Sequence, residues 1–393
     1  MVSKEKSPYN LKALAFPVYL PSILFAIAEG SLIPVIPAIA EKFGADLATA
    51  AIIVGLLMFG TLAMDLPAAR FVNRFGERNS MITASLAAAA GMFFAVFAQN
   101  IIVLGIGVFI VGGSHAVFGL ARHGYITETV PFSHRARALS ILGGIFRFGG
   151  FLGPLLSAGL ILIAGIQAVL IAVTVLCLLS ALMLLLMKAE KMANTPPNSG
   201  GGVWLITKRE KTKLLNLGTA SAILAFARTA RTIGLPLWAL HINLDVSQAA
   251  LIIGLAGALD FGLFYVGGKV IDLKGRIWAG VPTLVATGIG LMLIGTSTDA
   301  VSFFVVAVLL ALANTVGAGL VMVIGADLAP ADARNEFLAA YRLMLDGGVA
   351  LAAPTLSIGT VLVGLSGGLA FIGAVSVFGG WMMYRYLPKH GIH

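Results

Sequence analysis

The sequence predicts an all-α integral membrane protein, with twelve transmembrane helices in two six-helix bundles related by a pseudo-twofold repeat. Three observations predict it. The 393 residues are 59% hydrophobic and only 11% charged, with a mean hydropathy of +0.98, whereas water-soluble chains carry roughly 25% charged residues. The apolar residues fall into runs of about twenty, the length needed to cross a bilayer as a helix. The second half of the chain also repeats the first.

Twelve runs are long enough, at about 14–40, 47–69, 80–98, 101–122, 138–163 and 166–187, then 214–240, 247–268, 277–297, 300–325, 336–361 and 365–385. Short turns make neighbours antiparallel, and an even count puts both termini on one side. The N-terminus, the even-to-odd turns, the central polar stretch and the C-terminus hold 21 of the 26 basic residues, and the opposite turns hold only Lys42. That bias places both termini in the cytoplasm, in a bacterial inner (plasma) membrane. It also accounts for the net charge of +9 without nucleic acid as a partner. The lone Cys177 lies in an apolar run and can form no intrachain disulfide.

Residues 188–213 form the only long polar interval, rich in Pro, Gly and Lys. They divide the chain into an N-terminal bundle (1–187), a cytoplasmic linker (188–213) and a C-terminal bundle (214–393). The halves align at an offset of 199 residues. DLATAAIIVGLL from Asp46 matches DVSQAALIIGLA from Asp245, and the same shift pairs Pro37 with Pro236, Gly76 with Gly275 and Arg135 with Arg334. A duplicated bundle of this kind places a binding site between its halves, near mid-membrane.

An ionisable group at bilayer depth costs at least about 2.5–3.5 kcal/mol unless it meets a partner or a wet cavity. Candidates for such a cavity are Glu29, His115, Arg147, Arg228, Arg231, Asp260, Arg342 and Asp346. Helices 3, 6, 9 and 12 carry no ionisable residue in their membrane cores and suit a lipid-facing role. Glu29 and Arg228 are related by the repeat, at equivalent depths in helices 1 and 7. They read either as a protonatable switch, in which the pairing of Glu29 with Arg228 or Arg231 changes between states, or as a static ion pair holding the halves together. Arg342 and Asp346 are spaced i,i+4 and can satisfy each other. His115 reads as a proton shuttle or as a hydrogen-bonded packing residue. Asp65, near the cytoplasmic end of helix 2, reads as a gate or a solvated end. Phe118, Phe146, Phe148, Phe226, Trp238 and Tyr341 lie on candidate cavity helices, where they either stack on a flat substrate or pack helices.

Twelve spans, a 6+6 repeat and a basic central linker resemble the major facilitator superfamily over about residues 12–388. The turn after helix 2, ARFVNRFGER from Ala69 to Arg78, is similar to that family's G-x-x-x-D-R-x-G-R-R signature. Arg74, Gly76 and Arg78 match, while Ala69 and Asn73 replace the usual Gly and Asp. Its copy after helix 8, GKVIDLKGRI, keeps Gly268, Asp272, Gly275 and Arg276. The resemblance implies a cytoplasmic latch built from Asp65, Asn73, Arg74, Gly76, Arg78, Asp272, Gly275 and Arg276.

In helix 5, Gly149, Gly153 and Pro154, followed by Ser157 and Ala158, resemble the G-x-x-x-G-P-x-x-G-G motif of the drug:proton antiporter branch. That branch's arginine on the outer part of helix 4 is absent. The resemblance implies a secondary active transporter that is not an enzyme. It is expected to work as a monomer on a small-molecule substrate and protons, without cofactor or metal. Proton-coupled export of small amphipathic or drug-like molecules by alternating access is the leading expectation. Proton-coupled import of an organic anion or metabolite is the alternative, and a non-transporting membrane receptor is a third. No Walker motif points to ATP drive, and no His/Cys cluster has metal-ligand spacing.

Overall fold

The computed structural model describes residues 14–187, 202–330 and 332–391, and every regular element among them is helical. A π-helical turn (Ala15–Tyr19) leads into α1 (Leu20–Leu32), which continues after a break as Ile36–Lys42. The following helices are α2 (Leu47–Phe75), α3 (Glu77–Val96), α4 (Ile101–Thr129), α5 (Phe132–Ala164) and α6 (Ile166–Leu185). The second half holds α7 (Thr219–His241), α8 (Val246–Lys274), α9 (Arg276–Ile294) and α10 (Ala300–Val316), the last continued by Leu320–Leu328. The last helical stretch, Arg334–Tyr386, is kinked at Gly364, whose backbone angles are non-helical. It therefore comprises α11 (334–363) and α12 (365–386).

The 199-residue repeat extends well beyond helix 2. Asp46 and Asp245 each cap a helix, accepting from the backbone N–H of Thr49 and of Ser247. Asn100 and Asp299 do the same for α4 and α10. Gly76 and Gly275 turn the chain at φ 78° and 91°, and Gly165 and Gly364 at 79° and 77°. Positive φ costs glycine nothing, so both turns recur as glycine. Each half thus starts and stops its helices with the same chemistry at the same registers.

Within the first half α1 packs on α5 and α6, and α4 on α2 and α3; within the second, α7 packs on α11 and α12, and α8 on α10. The α1–α5 approach is very close. A Cβ on Gly149 would lie 2.5 Å from Ala26 backbone atoms, and one on Gly153 2.5 Å from the Gly30 carbonyl carbon. Ser31 Oγ donates to the Gly153 carbonyl, and Ser157 Oγ donates to the Ser31 carbonyl. The glycine motif of α5 therefore fixes the segment of α1 that carries Glu29.

The halves meet along α5–α8 and α2–α11. Each seam is tight only in the half remote from the chain ends. There a Cβ on Gly254 would meet Leu155, one on Gly257 would meet Phe151, and one on Gly55 would meet Ala353. Nearer the chain ends, Cβ atoms on Gly143, Gly262 and Gly347 would meet nothing within 4 Å. Leu66 of α2 is 81% exposed there and Leu343 of α11 63%. The space between the halves is closed at one face and open at the face bearing the chain ends. At the closed face the seam ends in a cavity of ≈ 450 Å³, lined among others by Glu41, Asp46, His241 and Thr360.

Helices α3, α6, α9 and α12 stay on the outside, with Phe94, Leu182, Ile289 and Phe371 exposed. Bare apolar surface on this scale belongs in lipid.

The expected polar linker differs from its structure where it is described. Residues 188–201 lie outside the described residues. Gly202–Arg209 and Lys211–Lys213 are helical. Ile206 is buried against the second half, and the Arg209 guanidinium donates to both carboxylate oxygens of Asp332 at 2.7 and 3.0 Å. An apolar residue amid the basic ones gives this stretch a packing face that its composition conceals.

Candidate functional site

Three polar clusters line the space between the halves. The first belongs to the N-terminal half. Glu29 Oε2 of α1 lies 2.7 Å from His115 Nδ1 of α4, with side-chain exposures of 20% and 24%. Arg122, two turns further along α4, is within electrostatic reach of Glu29 yet only 2% exposed. Its guanidinium lies 3.6 Å from the centre of the Phe146 ring of α5. Its Nε and Nη1 have no hydrogen-bond partner among the described residues. Arg122 is a correction to the sequence reading, which counted it among the cytoplasmic turn residues because the apolar run ends there. The helix continues to Thr129 and carries it inside. The span count of bases thus rises to five.

The second cluster joins the halves. Arg147 Nη1 of α5 donates to Asp260 Oδ1 of α8 at 3.1 Å, with exposures of 23% and 15%. Asp260 also accepts from Asn314 Nδ2 at 2.7 Å and Thr315 Oγ1 at 3.1 Å, both on α10. Phenylalanines cover the seam beside this pair. Phe148 and Phe151 of α5 pack on Phe261 of α8 at 5.7 and 5.1 Å between centroids. Arg147 lies 5.7 Å from the Phe264 ring.

The third cluster belongs to the C-terminal half. Arg228 Nη2 donates to the Gly317 carbonyl at 2.8 Å, and its Nε has no partner among the described residues. Arg147, Asp260 and Arg231 are its charged neighbours. The repeat relates this cluster to the first: Glu29 corresponds to Arg228, His115 to Asn314 and Phe118 to Gly317. Helices 1 and 4 of one half, and 7 and 10 of the other, thus present opposite charge at matching places.

Glu29 and Arg228, read from the sequence as partners, are not paired. Glu29 is held by His115 within its own half, and the pair that crosses the halves is Arg147–Asp260. Both distances depend on which helices face one another, which one-dimensional depth does not define. Arg342 and Asp346 lie 3.5 Å apart on α11, with Asp65 of α2 within electrostatic reach across the open seam. Arg231 joins the Arg147–Asp260 field.

Three aromatic candidates are placed away from this space. Phe118 is fully buried and stacks on Phe25 at 4.5 Å. Trp238 is buried and donates to the Ser297 carbonyl. The Tyr341 hydroxyl is buried between Ser221 Oγ and the Val321 carbonyl.

The latch residues are dispersed. Arg78 donates to the Leu184 and Leu185 carbonyls at 3.0 and 2.9 Å, closing the end of α6, where orphan carbonyls attract cations. Arg276 bonds to Asp327 at 2.9 Å. Arg74 packs its guanidinium near Phe75. Asn73 and Asp272 are exposed and have no hydrogen-bond or ion-pair partner among the described residues. With the seam open on this face, none of the latch residues makes a hydrogen bond or ion pair to the other half among the described residues.

Fold and site together define a polytopic membrane protein of two repeated six-helix bundles around a charged central space. Residues 18–354 match the model of the Major Facilitator Superfamily, and the chain belongs to that family. It is 28% identical over 115 residues to the uncharacterized MFS-type transporter YhjO of Bacillus subtilis (strain 168). That match covers 29% of each chain. Among solved structures, the chain is similar to a POT family transporter in complex with a thioalcohol-conjugated peptide, with a TM-score of 0.80 and 11% identity over 96% of both chains. It also resembles a bacterial homolog of the human lysosomal transporter Spinster in an inward-facing conformation, with a TM-score of 0.75, 15% identity and coverage of 98% and 97%. A D-xylose-proton symporter gives a TM-score of 0.74 at 14% identity, covering 96% of this chain and 98% of that one. At such identities the likeness concerns the fold.

Proposed function

We propose that the chain is a proton-coupled secondary transporter working by alternating access, and that it exports small amphipathic molecules across a bacterial inner membrane as a monomer. The two bundles, 1–187 and 214–393, are the moving bodies and 188–213 links them. The observation that carries this reading is the Glu29–His115 pair. It is a titratable couple in a half-buried position, beside an arginine whose donors are partly unused, and it borders a space open to one face only.

The basic face is the cytoplasmic one by the positive-inside rule, so the structure is open to the cytoplasm. In this state Glu29 has released its proton and His115 holds the carboxylate. A substrate enters from the open face and lies against the phenylalanines of the α5–α8 seam. The bundles then rock, the far seam opens, and a proton from outside neutralises Glu29. Neutral Glu29 no longer needs a cationic partner, which favours return to the first state. Among the described residues, His115, Arg122 and Cys177 of α6 lie within electrostatic reach of Glu29.

Import remains the second reading, because Arg228 and Arg231 have no carboxylate within ion-pair distance among the described residues. Proteoliposomes with an internal pH dye test both. Export predicts that an amphipathic compound drives proton release from wild-type vesicles and that Glu29→Gln exchanges the compound without moving protons. Accumulation down an inward proton gradient would reverse the direction. Proton movement that survives Glu29→Gln removes the coupling role, and the absence of any flux returns the chain to a non-transporting receptor.

A further inference from the structure

Arg228 and Arg231 lie three residues apart on α7, both half-buried, and within electrostatic reach of Arg147 and Asp260. Cations at bilayer depth require a compensating anion or water. Among the described residues the one carboxylate in their field is Asp260, and its oxygens already accept from Arg147, Asn314 and Thr315. Among the described residues the Arg228 side chain keeps one bond, to the Gly317 carbonyl, and its Nε has none. Where the first half satisfies its charge internally, Glu29 by His115, the second half has given the equivalent partner, Asn314, to Asp260. Two guanidinium groups are left with donors to spare. Beside them the α5–α8 seam offers half-buried rings, Phe148, Phe151, Phe261 and Phe264, and the Arg147 side chain runs from those rings to Asp260.

We propose that the transported molecules are amphipathic organic acids, whose oxyanion is held by Arg228 and Arg231 while the apolar body lies on the phenylalanines of the α5–α8 seam. This rests on the transport reading above and narrows it. A guanidinium fork matches a carboxylate geometrically, so an acid gains bonds that its amide and its amine do not. An amine is also repelled by Arg147, Arg228 and Arg231 together.

The test uses the purified full chain in neutral detergent and reads ligand-induced shifts in thermal unfolding. The probes are phenylbutyrate and naphthoate, each beside its primary amide and the corresponding amine, with phosphatidylglycerol as a lipid anion. The acids are expected to raise the melting temperature, and the amides and amines to leave it unchanged. Arg228→Gln and Arg231→Gln each weaken the apparent affinity for the acids by about tenfold or more, the loss of a charge-assisted bond. Arg228→Lys keeps charge but not the fork and falls between.

Equal shifts from the amides or amines overturn the proposal. So does acid binding that is unchanged in both glutamine variants, or no shift of the wild type by either acid. A shift by phosphatidylglycerol alone assigns the arginines to a lipid headgroup and also overturns it. Proton movement in proteoliposomes is read on the same preparations. Acid binding without proton coupling sinks the coupled-transport reading and leaves this inference standing; coupled flux of neutral compounds without acid binding does the reverse.

Discussion

Removing the bond between Arg147 and Asp260 is expected to shift the balance between the two access states. The pair lies where the closed part of the α5–α8 seam meets the open part, so opening the far face must separate it. Its oxygens and nitrogens are 3.1 Å apart and its side chains are 23% and 15% exposed. The gross attraction at that distance is large, but dehydration cancels most of it. A hydrogen bond to a charged group contributes about 1.5–3 kcal/mol net, and the partial exposure argues for about 2 kcal/mol at most after screening. That corresponds to roughly a 30-fold change in the population ratio. Arg147→Gln should therefore move the protein toward the state open at the far face.

Asp260→Asn should move it further, because it leaves Arg147, Arg228 and Arg231 without an anion. The assay is a spin-label distance measurement between Leu66→Cys and Leu343→Cys, both exposed on the open face. The native Cys177 is buried and leaves little background. Shorter distances should gain population in both variants, and the double variant should show a coupling of about 2 kcal/mol in a double-mutant cycle. Unchanged distance populations in Arg147→Gln, or a coupling within the roughly 0.5 kcal/mol error of additivity, would refute the reasoning.

Other perturbations have equally definite outcomes. Gly149→Val should cost more than about 3 kcal/mol, because the new Cβ meets Ala26 backbone that cannot retreat; a fall in melting temperature and in folded yield measures it. Gly165→Ala and Gly364→Ala should destabilise similarly, by about 1–3 kcal/mol each, since φ is near 78° at both turns; unequal losses would break the equivalence of the repeats there. Asn100→Ala removes the cap on Val103 and should cost about 1 kcal/mol, read as an earlier thermal transition. Arg209 holds the Asp332 carboxyl below the usual carboxylate range. A depressed folded pKa stabilises above the unfolded value and is lost as pH falls through the folded one. Docking of Gly202–Arg209 should therefore be constant across about pH 5–8. Hydrogen exchange at Ile206 checks this, and Asp332→Asn should speed it at every pH in that range.

Most of the architecture was legible in the sequence. Spans come from apolar length, and the turns at Gly76, Gly165, Gly275 and Gly364 separate them at the expected places. The duplication was readable from helix 1 to the turn after helix 2, where Asp46 and Asp245 anchor the alignment, and again at Arg135 and Arg334. It was not readable through Asn100 and Asp299, because a cap is a single polar atom and different residues supply it. The ionisable residues within the spans were legible as such, because each is expensive in a membrane. Arg122 was missed for the complementary reason: a base at the end of an apolar run looks like a turn residue until its helix is seen to continue. Phe118, Trp238 and Tyr341 were placed on the right helices, but a helix position does not say whether a ring faces the bundle interior or the space between bundles.

The amino-acid sequence by itself determined that this chain is a membrane protein of two matching six-helix halves with ionisable groups at its centre, because burial in lipid penalises every charge individually. Partnership was decided only in three dimensions. Glu29 found His115, Arg147 found Asp260, and Arg228 was left with a backbone carbonyl, because hydrogen bonds act over about 3 Å and such distances are set by how helices from separate parts of the chain pack together.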